Sequence, residues 1–237
     1  MDRIKRRLFP LLSIAVCAVL VLSAAVIAQF IPASKQSRDA EPEDMYDWAF
    51  FLINGEHLLP EGYTPELGNV TGDFYLDVRC AVYAVEMLEA ALRDGIELRV
   101  VSAYRSWERQ NENFDKYVRR LMREKNYSQE RAVAVTATQI ARPGASEHNA
   151  GLALDIISMD WFIHNDDYTR DFDQTPEFAW LSGNSWRFGF ILRYPDGKED
   201  ITGFIYEPWH YRFVGHDKAE QIYYSGLTLE EFMQEYE

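Results

Sequence analysis

An apolar run near the N-terminus is the feature that most limits what this chain can form. From Leu11 to Ile31 the sequence has 21 residues without a charged side chain, and a helix of about 20 apolar residues crosses a bilayer core. Basic residues precede the run, which places that end in the cytoplasm and later residues outside. They are Arg3, Lys5, Arg6 and Arg7. We therefore expect residues 1–31 to form a cytoplasmic end and a transmembrane anchor.

A cleaved signal peptide is the alternative interpretation of this run. Such a peptide has an apolar region of roughly 7–15 residues that ends at a small-x-small site. Residues 23–25 (Ser-Ala-Ala) have that composition, but apolar residues continue after them. We expect the anchor to be retained, although cleavage stays open. Cys17 follows Val16, where a lipoprotein signal would have a small residue, so lipidation is not expected.

The rest of the chain is expected to contain a polar linker and one exported domain. Residues 32–45 are polar and lack an apolar period, as in a juxtamembrane linker. Residues 46–237 are enough to bury a core without disulfides, and Cys80 is their only cysteine. The net charge of −14 at pH 7 argues against nucleic acid as a partner.

The pattern of apolar residues predicts an α+β fold. Helical periodicity predicts helices over Phe74–Arg93, Ser106–Lys125, Ser128–Ala141, Pro176–Arg187, Asp217–Tyr224 and Leu229–Tyr236. Short apolar or β-branched runs predict strands over Leu98–Tyr104, Ala153–Ile157, Phe188–Arg193 and Phe204–Tyr206. In the first helix the apolar face is expected to hold Val78, Val82, Val85, Leu88 and Leu92. Helices and strands do not alternate regularly, which favours α+β over a doubly wound parallel sheet.

Asp155 is the first candidate metal ligand. It lies within the apolar stretch 152–157, where a carboxylate is rarely buried unless it is paired or bound to a metal. His148 lies seven residues earlier, and Gly151 between them allows a sharp reversal of the backbone. The two side chains can therefore converge on one ion. The pattern alone is weak, since Asp155 could instead cap a turn or pair with an arginine.

A second motif, Glu207-Pro208-Trp209-His210, adds a histidine and a carboxylate. Pro208 disfavours helix at Glu207, and residues three apart in a strand face opposite ways, so a bend is needed to bring both to one site. Two histidines and one aspartate leave the open fourth position of catalytic zinc. Glu207 is then the natural general base for a zinc-bound water. The alternative is a surface glutamate and a core histidine.

Arg105 is a further candidate because it lies between a predicted strand and a predicted helix. An arginine there can bind a carboxylate through two parallel hydrogen bonds; the alternative is a surface salt bridge. The remaining histidines, His57, His164 and His216, are expected to be surface or packing residues.

Taken together, S-x-H-x-x-G-x-A-x-D, E-x-W-H and an upstream Y-R-S segment resemble the VanY-type D-alanyl-D-alanine carboxypeptidases. These zinc peptidases share their zinc site with Hedgehog-type domains, and the likeness runs from about Phe51 to Gly215. The resemblance implies a small antiparallel sheet flanked by helices. It implies zinc ligation by His148, Asp155 and His210, with Glu207 as the catalytic base. It further implies binding of the substrate carboxylate by Arg105, with substrate contacts from Ser106, Gln110 and Ser146.

The expected function is zinc-dependent removal of the C-terminal D-alanine from peptidoglycan stem peptides, by a monomer on the outer face of the cell membrane. An L,D-carboxypeptidase of tetrapeptide stems and an endopeptidase stay open as alternatives. A non-catalytic, zinc-stabilised module that binds cell-wall peptides is a third, although Glu207 argues against it. The loop over residues 165–175 does not match the family pattern and could shape specificity. Glycopeptide resistance and routine wall maturation are not distinguished by the sequence.

Overall fold

The computed structural model of this chain describes residues 46–164 and 169–236. The α-helices are α1 (Val78–Arg93), α2 (Trp107–Lys125), α3 (Gln129–Ala137), α4 (Met159–His164), α5 (Pro176–Asn184), α6 (Glu199–Thr202), α7 (His216–Ser225) and α8 (Leu229–Tyr236). The strands are β1 (Leu67–Thr71), β2 (Phe74–Asp77), β3 (Leu98–Ser102), β4 (Ala153–Ser158), β5 (Phe190–Leu192) and β6 (His210–Phe213). Short 3₁₀ helices span Glu147–Ala150, Arg170–Gln174 and Ser185–Phe188.

The predicted anchor and linker, residues 1–31 and 32–45, lie outside the described residues. Within the described parts, no helix combines the length and the apolar character that a membrane crossing requires. The four residues 165–168 of the predicted specificity loop are also outside the described ranges, and the remainder of that loop contains the 3₁₀ helix at Arg170–Gln174.

Two antiparallel sheets form the β structure. Strands β3, β4, β6 and β5 pair in that order in a four-stranded sheet, and β1 pairs with β2 in a hairpin. Every residue of β4 and of β6 is buried, because other elements cover both faces of these central strands. The predicted α+β class with a small antiparallel sheet and flanking helices is confirmed.

The prediction for the first helix was wrong at its start and in part of its buried face, since Val85 and Leu88 do pack against the core. Residues 74–77 form β2, and α1 begins only at Val78. Val82 is 51% exposed and Leu92 is 67% exposed, whereas small residues such as Ala81 and Ala84 are buried. The reason is close approach to the hairpin: a Cβ added at Gly68 would lie 2.9 Å from Ala81 Cβ. Only small side chains fit between these elements, so packing overrides the apolar period.

The strand predicted over Phe204–Tyr206 was also wrong. Phe204 lies in a bend, residues 205 and 206 belong to no helix or strand, and Ile205 N donates to Thr138 O (3.0 Å). The strand that pairs with β4 and β5 starts later, at His210. The sheet strand thus begins at the last residue of the Glu207–His210 motif, which places His210 at the first position of β6.

Serine side chains cap the starts of two helices. Ser106 Oγ accepts a hydrogen bond from Arg109 N (3.2 Å) at the start of α2, and Ser128 Oγ accepts one from Arg131 N (3.2 Å) at the start of α3. A side-chain oxygen at this position satisfies a backbone donor that the helix leaves open. Because the Ser106 cap fixes where α2 begins, it also fixes the position of the preceding residue, Arg105.

Gly151 lies between the 3₁₀ helix and β4 and allows the backbone there to approach the end of β2 closely. Its φ is +69°, and a Cβ there would lie 2.7 Å from Asp77 N. Gly226 has a nearly equal φ of +68° with no atom within 4 Å of an added Cβ, which makes it a matched control. We expect Gly226→Ala to lose about 1–2 kcal/mol from the left-handed conformation.

Gly151→Ala should lose that amount plus about 1–3 kcal/mol from overpacking. Urea denaturation of both variants, with midpoints and slopes compared, measures the difference. Equal destabilisation of the two variants would contradict the close contact at Gly151.

Candidate metal centre and active-site cleft

The sheet register places two candidate ligands opposite each other. Asp155 in β4 is the direct cross-strand partner of His210 in β6, so both side chains extend from the same face of the sheet. His210 Nδ1 lies 3.1 Å from Asp155 Oδ1. On the other side of β4, a register shift in β3 between Val100 and Ser102 ends at the residue that pairs with Asp155. Bulges of this kind often lie next to active sites.

His148 reaches the same place from the 3₁₀ helix at Glu147–Ala150. Its Nδ1 donates to Ala103 O (2.7 Å), since a carbonyl oxygen can only accept. That hydrogen bond leaves Nε2 as the unprotonated nitrogen. Nε2 is buried, has no hydrogen-bond partner among the described residues and lies 3.3 Å from Asp155 Oδ1. A buried nitrogen lone pair without a partner is what a metal ligand requires before the metal binds.

These three side chains form the group that can hold a metal. One ligand atom from each of His148, Asp155 and His210 lies within 4.8 Å of the others. Burial, and then Arg105, lowers the pKa of His148 to about 4, which keeps it neutral. Burial raises the pKa of Asp155, but His148 and His210 lower it by more. The pKa is therefore well below its ordinary value, and Asp155 stays ionised. Two imidazoles and one carboxylate are a donor set that zinc prefers, and zinc therefore fits this site.

Glu207 lies beside the metal group at a tight turn. His210 N donates to Glu207 O (3.1 Å), and Glu207 N donates to Tyr194 O (3.1 Å). This turn is the bend expected at Pro208, and it brings Glu207 Oε2 to 3.7 Å from His210 Nδ1. Burial raises the pKa of Glu207 to about 8. A carboxyl group whose pKa lies near the working pH is suited to general acid–base catalysis.

Arg105 is held at the edge of the same site. Its Nη1 donates to Gln110 Oε1 (2.8 Å), and its Nη2 lies 3.6 Å from Asp155 Oδ2. Gln110 Nε2 in turn donates to Ala141 O (2.7 Å). Both ends of the Gln110 amide are thus engaged by the protein, so its contact in this structure is with Arg105. The predicted contact of Gln110 with substrate remains a prediction.

A cleft of about 590 Å³ contains the site. Its lining includes the three metal-type residues, Glu207, Arg105 and Ser146. Ser106 is not among the lining residues, and its hydroxyl instead caps α2. The volume is in the usual range for small-molecule sites, which is about 300–1,000 Å³. A short peptide end is therefore a suitable ligand by size.

The remaining histidines do not join this group, as expected. His57 Nδ1 is paired with Asn54 Oδ1, and His164 Nδ1 lies near Asp160 O. His216 packs edge-on against Tyr83. In residues 46–164 and 169–236, the His148 group is the one cluster of three such side chains that could hold a metal.

A buried charge network, which the sequence patterns did not predict, lies behind His210. Glu147 Oε1 accepts from Arg193 Nε (2.6 Å) and lies 3.0 Å from Arg212 Nη1. Glu147 Oε2 lies 3.1 Å from His210 Nε2. Burial raises the pKa of Glu147, but Arg193 and Arg212 lower it well below its ordinary value. The signal was available: Arg193 and Arg212 stand in apolar runs, just as Asp155 does.

Comparison with known proteins adds direct relatives. A family model described as VanY, D-alanyl-D-alanine carboxypeptidase, matches residues 73–216. A D-alanyl-D-alanine carboxypeptidase of Enterococcus faecalis (strain ATCC 700802 / V583) is 39% identical over 193 residues, which cover 81% of this chain and 68% of that relative. This chain therefore spans about two thirds of the relative's length.

Two solved structures are also similar to this chain. The vancomycin resistance D,D-pentapeptidase VanY in complex with Zn(II) is 39% identical, with a TM-score of 0.70 over 79% of this chain and 99% of that chain. The LdcB LD-carboxypeptidase is 36% identical, with a TM-score of 0.66 over 77% of this chain and 84% of that chain. This chain belongs to the VanY family of D-alanyl-D-alanine carboxypeptidases.

Proposed function

We propose that this chain is a zinc-dependent D,D-carboxypeptidase that removes the C-terminal D-alanine from peptidoglycan stem peptides. The observation that carries this proposal is a buried carboxylate, Glu207, beside a group of three metal-type ligands in the described part of the chain. A structural zinc site is closed by four ligands and has no use for an additional base. The family assignment supplies the substrate class.

The residues of the cleft have separate chemical roles. His148, Asp155 and His210 would hold the zinc, which supplies the Lewis acidity that activates a water and polarises the scissile carbonyl. Glu207 takes the proton from the attacking water and passes it to the nitrogen of the departing D-alanine. Because Glu207 is only 6% exposed, bulk water does not compete for that proton.

Arg105 accounts for the restriction to a C-terminal residue. Its guanidinium can form parallel hydrogen bonds to a carboxylate, and Gln110 orients it through the 2.8 Å hydrogen bond. A substrate whose free carboxylate binds Arg105 presents the preceding peptide bond to Glu207. Ser146, which lines the cleft, is proposed to contact the peptide there.

An L,D-carboxypeptidase is the second candidate. The similarity to the LdcB LD-carboxypeptidase favours it, and the same metal chemistry and the same arginine would serve both reactions. The two activities differ in the handedness of the residue before the scissile bond. The shape of the cleft determines which handedness is accepted.

We also propose that residues 1–31 anchor the protein in the cell membrane, with residues 32–45 as a linker and residues 46–237 outside the cell. The support is the uncharged run of 21 residues from Leu11 to Ile31 and the basic residues before it. A domain tethered in this way faces the wall, where stem peptides are found. We propose that it acts as a monomer.

Product analysis tests the function. We expect the full chain with zinc to convert a stem pentapeptide ending in D-Ala-D-Ala to the tetrapeptide and free D-alanine, as measured by mass spectrometry. A chelator should abolish the reaction, because the ligand group then lacks its metal. Cleavage of the tetrapeptide alone would instead establish the L,D activity, and absence of any cleavage with zinc bound would indicate a binding module.

Replacement of the proposed base is the second test. Glu207→Gln keeps the size of the side chain but removes the basic oxygen, so we expect kcat to fall about 10²–10⁴-fold. Zinc content should be unchanged, since Glu207 is outside the ligand group. Glu199→Gln, at an exposed position in α6, is the control and should retain full activity. Substantial turnover by Glu207→Gln would exclude the proposed role.

The third test separates carboxylate binding from catalysis. We expect Arg105→Ala to lower kcat/KM for the free-acid pentapeptide about 10- to 100-fold, the size of a lost hydrogen bond to a charged group. The C-terminal amide of the same peptide should be affected little, so the preference for a free carboxylate disappears. Arg123→Ala, at an exposed position on α2, is the control. An equal loss on both peptides would show that Arg105 acts elsewhere.

A further inference from the structure

The C-terminal helix α8 is joined to the metal group by buried charges. Glu230 in α8 is 7% exposed, and Arg193 is 1% exposed. Arg193 Nη1 donates to Glu230 Oε2 (2.8 Å), and its Nη2 donates to Glu230 Oε1 (2.5 Å). This two-bond geometry fixes the plane of the guanidinium. The third nitrogen, Nε, then points at Glu147 Oε1 (2.6 Å).

Glu147 passes this constraint to His210. Its Oε1 is engaged by Arg193 and lies beside Arg212, so its Oε2 is the oxygen left for the imidazole. His210 Nε2 donates to that oxygen (3.1 Å), because an ionised carboxylate can only accept. The other ring nitrogen, Nδ1, faces Asp155. The hydrogen bond from Nε2 therefore decides which nitrogen of His210 is offered to the metal.

We propose that Glu230 is a positioning residue for His210, acting through Arg193 and Glu147, so that α8 forms part of the zinc site. This inference rests on the zinc site of the proposed function. Carboxylates that accept from a metal-bound imidazole fix its tautomer and orientation and raise its basicity, and their loss typically weakens metal binding about 10- to 100-fold. Here Glu147 is such a carboxylate, and Arg193 links it to a second carboxylate, Glu230 of α8.

A purely structural role for Glu230 is the competing explanation. Helix α8 is already docked by apolar side chains, since Leu229 and Phe232 are buried in a core with Val214 and Ile222. A buried ion pair is weak support for stability, because desolvation offsets much of its attraction. Docking of α8 therefore does not explain why two carboxylates and Arg193 are buried together beside His210.

The same helix provides a matched control. Glu231, the next residue, pairs with Lys198 through both carboxylate oxygens (2.8 and 3.0 Å). That pair also ties α8 to the domain, but it lies outside the hydrogen-bonded series that runs from Glu230 through Arg193 and Glu147 to His210. Glu230→Gln and Glu231→Gln therefore remove equal charge and similar hydrogen bonds from adjacent positions.

The experiment measures the zinc dissociation constant of the full chain by competition with a chromophoric chelator. We expect Glu230→Gln to weaken zinc binding about tenfold, with kcat close to wild type once zinc is saturating. Glu231→Gln should bind zinc as wild type does. Urea midpoints of the metal-free variants report any general loss of stability separately.

The outcomes are distinct. Wild-type zinc affinity in Glu230→Gln, or equal weakening in both variants, overturns the inference. If Glu230→Gln does not fold, Arg193→Lys keeps the charge but cannot bridge the two carboxylates, and it should also weaken zinc binding; wild-type affinity there overturns the inference as well. A wild-type chain that binds no zinc overturns the proposed function and this inference together.

Discussion

The backbone register between β4 and β6 is the constraint on which the rest of the site depends. Asp155 and His210 meet because they are direct cross-strand partners. A slip of one residue would turn one of them to the opposite face of the sheet. Hydrogen bonds on either side of the pair fix the register: Ile156 N donates to Trp209 O (2.9 Å), and Phe213 N donates to Leu152 O (2.8 Å). A metal site assembled on paired central strands is therefore as rigid as the sheet.

The charged residues buried behind this pair are better explained by function than by stability. Glu147, Arg193 and Arg212 are each at most 2% exposed, and removing such groups from water costs several kcal/mol each before their mutual attraction is counted. Apolar residues of similar size would fill the space at lower cost. What apolar residues could not do is accept a hydrogen bond from His210 Nε2. The network is therefore best explained by its effect on the metal ligand.

The sequence was informative at positions where the residue present had few physical explanations. Asp155 in an apolar strand, and the bend at Pro208 before His210, both pointed to the group of side chains that the structure brings together. It failed for α1, because the apolar period of Val78, Val82 and Leu92 says nothing about the close approach at Gly68. It also missed Glu147, since a carboxylate next to a proposed ligand resembles an ordinary polar loop residue until its distant partners are known.

Asp155 also links the metal centre to the recognition of the peptide end. Its Oδ1 faces His148 Nε2 and His210 Nδ1, while its Oδ2 lies 3.6 Å from Arg105 Nη2. One side chain thus fixes both the position of the metal and that of the guanidinium proposed to bind the terminal carboxylate. The distance between the carboxylate-binding guanidinium and the metal group is then fixed through a residue of the sheet. A mobile loop would let that distance vary. Removal of a single residue follows from that fixed separation, and the identity of the residue depends on the rest of the cleft.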